Sequence, residues 1–187
     1  MPKIAEIEDT PNPNAKKFVL KDPLTWGISR SFDTAAQAQD DSLAAELFDI
    51  EHVTNVFYVD RWITVTQNGR ADWQELLRAL AGPIRAAPAA DAHSAQLATT
   101  AAADTLADMT PEDQQRLELI NDLLDREIRP YLQGDGGDLH VIGLQGNRLT
   151  VHYQGACGSC PSSLSGTLVG IENLVRSIEP DMQVVAV

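Results

Sequence analysis

The chain reads as α+β, with two small α+β domains joined by an Ala-rich flexible linker. Two observations predict this. Period-two apolar stretches alternate with helical apolar stripes in residues 1–85 and again in residues 109–187. Between them, residues 86–108 are dominated by Ala, Thr, Asp, Ser and Gln, with Leu97 and Leu106 almost their only large apolar side chains. A length of 187 residues accommodates either one large or two small domains, and the composition of 86–108 favours two.

In the first domain, Ile4 and Ile7 alternate with charges as in a strand, and Lys17-Phe18-Val19-Leu20 reads as a second strand. The cluster Thr10-Pro11-Asn12-Pro13-Asn14 between them predicts a rigid loop, because proline restricts its own φ and the residue before it. Asp22-Pro23 is a further break. Ser42 is the N-cap expected for a short helix over Leu43–Phe48. Residues 52–59 and 62–66 are β-branched and aromatic, and Asp60-Arg61 separates them at hairpin distance. Asp72 is placed to cap a helix carrying Trp73, Leu76, Leu77, Leu80 and Ile84, with Gly82-Pro83 disturbing its last turn. Trp26, Trp62 and Trp73 are expected in or near the core.

The stretch 86–108 cannot bury enough surface to offset its ordering entropy, which predicts a flexible linker. A transient Ala-rich helix is the alternative, since Ala has the best helix propensity.

Thr110-Pro111-Glu112-Asp113 opens the second domain with an N-cap, a proline at N1 and acids in the first turn. Leu117, Ile120, Leu123, Leu124 and Ile128 line one helix face, and Arg129-Pro130 ends it. Gly134-Asp135-Gly136-Gly137-Asp138 predicts a tight turn. Leu139–Leu144 and Leu149–Tyr153 form a hairpin about Gly146-Asn147, with Leu149, Val151 and Tyr153 on one face and Thr150 and His152 on the other. Pro161 opens a helix striped by Leu164, Leu168, Ile171 and Val175, and Met182–Val187 is a last strand. The predicted order α-β-β-α-β implies a sheet covered on one face by two helices.

Charge narrows the function. With 14 Lys+Arg against 27 Asp+Glu, the formal net charge is −13, which argues against nucleic acid as a partner. No apolar run approaches the roughly 20 residues that span a bilayer. The N-terminal residues carry neither an apolar signal core nor the acid-poor composition of a transit peptide, so a cytoplasmic protein is expected. No Ser/His/Asp or paired-carboxylate arrangement follows from the spacing, and a binding and transfer module is expected rather than an enzyme.

The chemistry gathers at Gly155-Ala156-Cys157-Gly158-Ser159-Cys160-Pro161, which holds the chain's two cysteines. A helix start stabilises thiolate over thiol through its partial positive charge and unpaired N–H groups, so the sulfurs are expected to be ionisable and at least partly exposed. Three uses are open. A dithiol–disulfide oxidoreductase uses such a pair, although no matching βαβ order surrounds it. A structural zinc needs two more ligands, for which His140 or His152 is a candidate, although both are more simply strand-surface histidines. An iron–sulfur cluster needs four thiolates where one chain has two, and a symmetric dimer supplies the rest. A cluster held between subunits should be labile, which suits a carrier. Asp135 and Asp138 are read as turn-forming acids rather than metal ligands.

Residues 117–187 resemble the C-terminal domain of NifU, the Nfu-type iron–sulfur carrier. The resemblance rests on 123–130 (Leu-Leu-Asp-Arg-Glu-Ile-Arg-Pro), Asp135-Gly136-Gly137-Asp138, 155–163 around the cysteines, and Gly170-Ile171-Glu172. Residues 4–85 are similar to the Nfu N-terminal domain through Thr10–Asn14, Lys17-Phe18, Ala45–Phe48 and Trp62–Thr66. The resemblance implies a [4Fe-4S] cluster bridging a homodimer, with a [2Fe-2S] form as its variant, held by Cys157 and Cys160 of each chain. It also implies an upstream scaffold or carrier as donor and apo iron–sulfur proteins as recipients. Two departures bear on partner choice and domain geometry: Asp41-Ser42-Leu43-Ala44 replaces the Ser-Pro-Leu-Ala run frequent in the family, and the Ala-rich linker is long.

Overall fold

The computed structural model describes residues 3–90, 110–158 and 161–187. The chain divides into two compact α+β units, Met1–Ala98 and Thr99–Val187.

In the first unit, β1 (Ile4–Asp9) and β2 (Ala15–Leu20) form an antiparallel pair. The loop between them is set by Asn12, whose Oδ1 accepts from Asn14 N at 3.0 Å and whose carbonyl accepts from Ala15 N at 2.9 Å. Strand β3 (Arg30–Phe32), helix α1 (Ser42–Phe48), strands β4 (Val53–Val59) and β5 (Trp62–Gln67), and helix α2 (Trp73–Ala86) follow. The five strands make one antiparallel sheet in the order β1-β2-β5-β4-β3. Phe18, Val56, Ile63 and Val65 from the sheet pack with Leu47 of α1 and Leu80 and Ile84 of α2, all fully buried. The β4–β5 hairpin turns at Asp60, as expected from the sequence.

Four details differ from the sequence reading. Strand β3 was not expected; three residues are too few to show an alternation. The N-cap of α1 is Asp41 rather than Ser42: its backbone is extended and its Oδ1 accepts from Ala44 N at 2.9 Å. Its other oxygen accepts from Arg30 Nη1 at 3.0 Å and from the Tyr58 hydroxyl, so contacts from β3 and β4 fix the cap. Helix α2, capped by Asp72 as predicted, runs through Pro83 to Ala86, and Ala87 N closes the last turn on Pro83 O at 2.9 Å. Trp26 is 44% exposed, whereas Trp62 and Trp73 are half-buried.

The first unit continues past residue 85. Ala87 lies in its core, and Ala90 N donates to Pro23 O at 2.8 Å. The remainder of the expected linker, 91–108, falls outside the described residues.

The second unit begins with α3 (Pro111–Glu127), capped by Thr110 Oγ1, which accepts from Asp113 N at 3.2 Å. Leu117, Ile120, Leu123 and Leu124 form its buried face, as the spacing predicted. Arg129-Pro130 does end this helix, but it also starts another, α4 (Arg129–Gly134). Proline lacks only an N–H that the first turn of a helix leaves unused, so it can stop one helix and open the next. The order is therefore α-α-β-β-α-β.

Strands β6 (Gly137–Gln145) and β7 (Arg148–Gly155) form the predicted hairpin about Gly146-Asn147. Helix α5 (Pro161–Arg176) carries the chain to β8 (Gln183–Ala186), which pairs parallel with β7. Leu149, Val151 and Tyr153 face a core shared with Ile120, Leu124, Ile171 and Val175. Arg116 ties α3 to the turn after α5, with Nε and Nη2 each 3.0 Å from a carboxylate oxygen of Glu179. No helix among the described residues is long and apolar enough to cross a membrane.

Candidate functional site

Of the two cysteines, Cys157 lies among the described residues and Cys160 lies outside them. Cys157 follows β7 and precedes α5, the strand–loop–helix placement expected for the pair. It is 4% exposed and belongs to the apolar core of the second unit, so the partial exposure expected of the sulfurs does not hold for Cys157, which packs among the core side chains beside the helix start.

The loop is shaped by backbone contacts. Gly158 N donates to Gly155 O at 3.1 Å, turning the chain at the sulfur, and Ala156 N donates to Gly136 O at 3.2 Å. The second bond fastens the cysteine loop to the Asp135–Asp138 corner. Pairing of Gly137 with Gly155 in the β6–β7 ladder brings the two glycine-containing motifs side by side.

Gly137 is the close approach. A Cβ there would stand 2.6 Å from Cys157 Sγ and 2.7 Å from Gln154 O, closer than side chains tolerate. The sulfur thus rests against a backbone wall that only glycine leaves open. Gly158 makes a similar approach from the other side, where a Cβ would lie 2.8 Å from Tyr153 O.

Asp138 stands beside this wall, 8% exposed. Its Oδ1 accepts from Leu139 N at 2.7 Å and its Oδ2 from Gln133 Nε2 at 3.3 Å. Arg129 Nε is 3.9 Å from Oδ1 and makes no hydrogen bond among the described residues. Burial pushes the Asp138 carboxyl above the usual carboxylate range, against the opposing pull of these hydrogen bonds and of Arg129. Asp138 is accordingly a corner residue held by backbone and side-chain donors, in keeping with its reading as a turn acid. Among the described residues, no group of three or more His, Cys, Asp or Glu is gathered to hold a metal.

His140 and His152 sit directly opposite one another on β6 and β7. They alternate with Leu139 and Tyr153, which face the core, so they project from the other face of the sheet. Burial lowers the His140 pKa, helped by the charges of Arg129 and His152. His152 Nδ1 lies 2.8 Å from Val187 O. This placement removes the histidines from the face on which Cys157 sits and weakens the zinc arrangement that would enlist them.

The sequence reading missed Tyr153 as a neighbour of the site. It is 4% exposed, and its hydroxyl has no hydrogen-bond partner among the described residues. Burial, with a further contribution from the charge of Cys157, pushes the phenol up to about 12. The alternation of β7 places it on the core face, but only its depth in the core marks the hydroxyl as unusual.

The donor chemistry suits a thiophilic iron centre. The sequence sets a C-x-x-C pair immediately before α5. Gly137 leaves the backbone close to one of those sulfurs. Such a pair meets half of the four-thiolate requirement of an iron–sulfur cluster.

Residues 4–90 match the family described as "Scaffold protein Nfu/NifU N terminal", and residues 120–186 match the "NifU-like domain". A human protein named "NFU1 iron-sulfur cluster scaffold homolog, mitochondrial" is 34% identical over 180 residues, covering 95% of this chain and 69% of its own length. Proteins of the same name from Drosophila erecta and Drosophila sechellia are 31% and 32% identical over 181 residues; the alignments cover 95% of this chain and 62% of each relative. The X-ray crystal structure of protein SAV1430 from Staphylococcus aureus aligns with 43% of this chain and 96% of its own, at 25% identity and a TM-score of 0.38.

Proposed function

The chain belongs to the Nfu/NifU family of iron–sulfur cluster scaffold proteins, and from that premise we propose that it holds a cluster as cargo and passes it to apo-proteins. Cys157 and Cys160 are the proposed ligands. The observation that carries the reading is the seat of Cys157: its sulfur lies against Gly137 at the entrance to α5, with the second cysteine three positions on.

Two thiolates per chain imply two chains per cluster. The proposed cargo is a [4Fe-4S] cluster bridging a homodimer; a [2Fe-2S] cluster satisfies the same four-thiolate requirement. A site closed by two subunits opens when they part, which suits delivery better than electron transfer. The proposed donor is an upstream scaffold or carrier, and the proposed recipients are apo iron–sulfur proteins. The role is binding and transfer, without catalytic turnover.

The first unit has no cysteine and cannot ligate the cluster. Its proposed part is partner recognition. A reducing compartment keeps such thiols available, and the cytoplasm is the proposed location; the relatives' names describe mitochondrial proteins. Fractionation of cells expressing the tagged chain checks this, and recovery in an organelle fraction contradicts it.

Anaerobic reconstitution with iron and sulfide tests the function. The expected product is brown, binds iron and sulfide, and loses its chromophore in Cys157→Ala and in Cys160→Ala. A colourless protein that reduces disulfides would instead support a thiol oxidoreductase.

A further inference from the structure

The outer face of the second unit's sheet carries two imidazoles that cluster ligation leaves unused. His140 on β6 and His152 on β7 are direct partners in the antiparallel ladder. Residues paired in this way share a face, with Cβ atoms about 4.5–5.5 Å apart. His140 is exposed and His152 half-buried, so a dissolved ion reaches the pair from solvent.

The hydrogen bond made by His152 sets the direction of its ring. Strand β7 is central in the order β6-β7-β8, and Val187 follows β8 directly, its N donating to Val151 O at 3.0 Å. His152 Nδ1, 2.8 Å from Val187 O, therefore faces the β8 side. An oxygen acceptor requires the proton on Nδ1, which puts the lone pair on Nε2. The two nitrogens of an imidazole point to opposite edges of the ring, so Nε2 turns toward β6, where His140 stands. Metal-ligating histidines are commonly held in this manner, the other nitrogen donating to a backbone oxygen. Partial desolvation lowers the His140 pKa, so that ring is neutral at pH 7 and offers a lone pair as well.

We propose that His140 and His152 together chelate a divalent transition metal of the Ni2+ or Zn2+ class, at a site separate from the cysteines. Neutral imidazole suits such ions, and water completes the coordination. Arg129, whose charge opposes a cation here, is ion-paired with Asp125 and faces Asp138 at 3.9 Å. The chain's net charge of −13 favours a dication. The site goes beyond the scaffold reading and stands whether or not Cys157 and Cys160 hold a cluster.

Titration of the full-length, cluster-free chain with Ni2+, followed through its imidazole proton resonances, tests this. Paramagnetic Ni2+ should broaden His140 and His152 together, ahead of His52 and His93, the other histidines of the sequence. Reading the rings rather than bulk uptake separates this site from the thiols. In His140→Ala, broadening of His152 should need about tenfold more Ni2+, because the second ligand of a chelate acts at high effective concentration. His152→Ala should have the same effect on His140. Broadening of one ring alone, or of all four histidines at the same Ni2+ concentration, overturns the chelate and shows adventitious binding to single imidazoles. An unchanged titration of the remaining ring in either variant overturns it too. The double variant should take up iron and sulfide as the unaltered chain does. Reduced uptake with an unchanged circular dichroism spectrum overturns a separate site by tying the histidines to the cysteines. If the unaltered chain takes up neither iron nor sulfide, the scaffold reading fails while the Ni2+ titration still decides this one.

Discussion

Gly137 is where a single atom decides the site. Adding a methyl group there places carbon 2.6 Å from Cys157 Sγ and 2.7 Å from a backbone oxygen of β7, and the backbone cannot yield as a flexible side chain can. Gly137→Ala is expected to destabilise the second unit by about 1–3 kcal/mol, the usual scale of overpacking. It should also weaken cluster retention, and denaturant unfolding with iron analysis checks both. Asp138 gives a pH signature. Its folded-state pKa is raised, so the native state binds more protons than the unfolded chain between the ordinary carboxylate value and the raised one. That group's contribution therefore makes stability fall as pH rises through this window, and stability is regained on acidification. Asp138→Asn should flatten this component, seen as a smaller difference in unfolding midpoint between acidic and neutral buffer than in the unaltered chain. An equal pH dependence in both proteins would show that burial of Asp138 does not control it.

At the scale of elements, helix α1 depends on a cap that is also a tertiary contact. Asp41 accepts from Ala44 N, Arg30 and Tyr58 together. Asp41→Ala should cost about 2–4 kcal/mol, summing a lost cap with a buried hydroxyl left unpaired. Asp72→Ala, which removes a cap exposed at the start of α2, should cost about 1 kcal/mol. Comparable losses in the two variants by chemical denaturation would mean that the Arg30 and Tyr58 contacts add nothing. These helices also show what local sequence conveys. The caps at Asp72 and Thr110 and the β4–β5 and β6–β7 hairpins were legible because neighbouring residues determine them. Asp41 was not: its bond to Ala44 N is local, but the adjacent Ser42 is an equally good cap type, and the contacts with Arg30 and Tyr58 that hold Asp41 in place come from two strands distant in sequence. Helix α4 escaped notice because six residues show too little helical period and Pro130 reads first as a stop. Strand β3 was hidden by its three-residue length. The cysteine pair announced itself, yet the contact of Cys157 with Gly137 required the register that sets Gly137 opposite Gly155.

At the scale of the whole molecule, each unit buries a core of its own. One core holds Cys157, and the other contains no cysteine. A fragment of residues 109–187 is therefore expected to fold and load a cluster by itself, judged by circular dichroism and iron content. Its delivery to some recipients should fall below that of the full chain if the first unit recognises partners; equal delivery to every recipient removes that role. On the proposed reading, in which a lone chain offers half the ligands, loading and association are a single event. Native mass spectrometry with iron and sulfide analysis of the anaerobically reconstituted full chain examines that directly. The expected species is a dimer with about four iron and four sulfide per pair of chains, returning to an iron-free form in Cys157→Ala. A monomer that retains a full cluster, or a cluster that survives loss of Cys157, would contradict it.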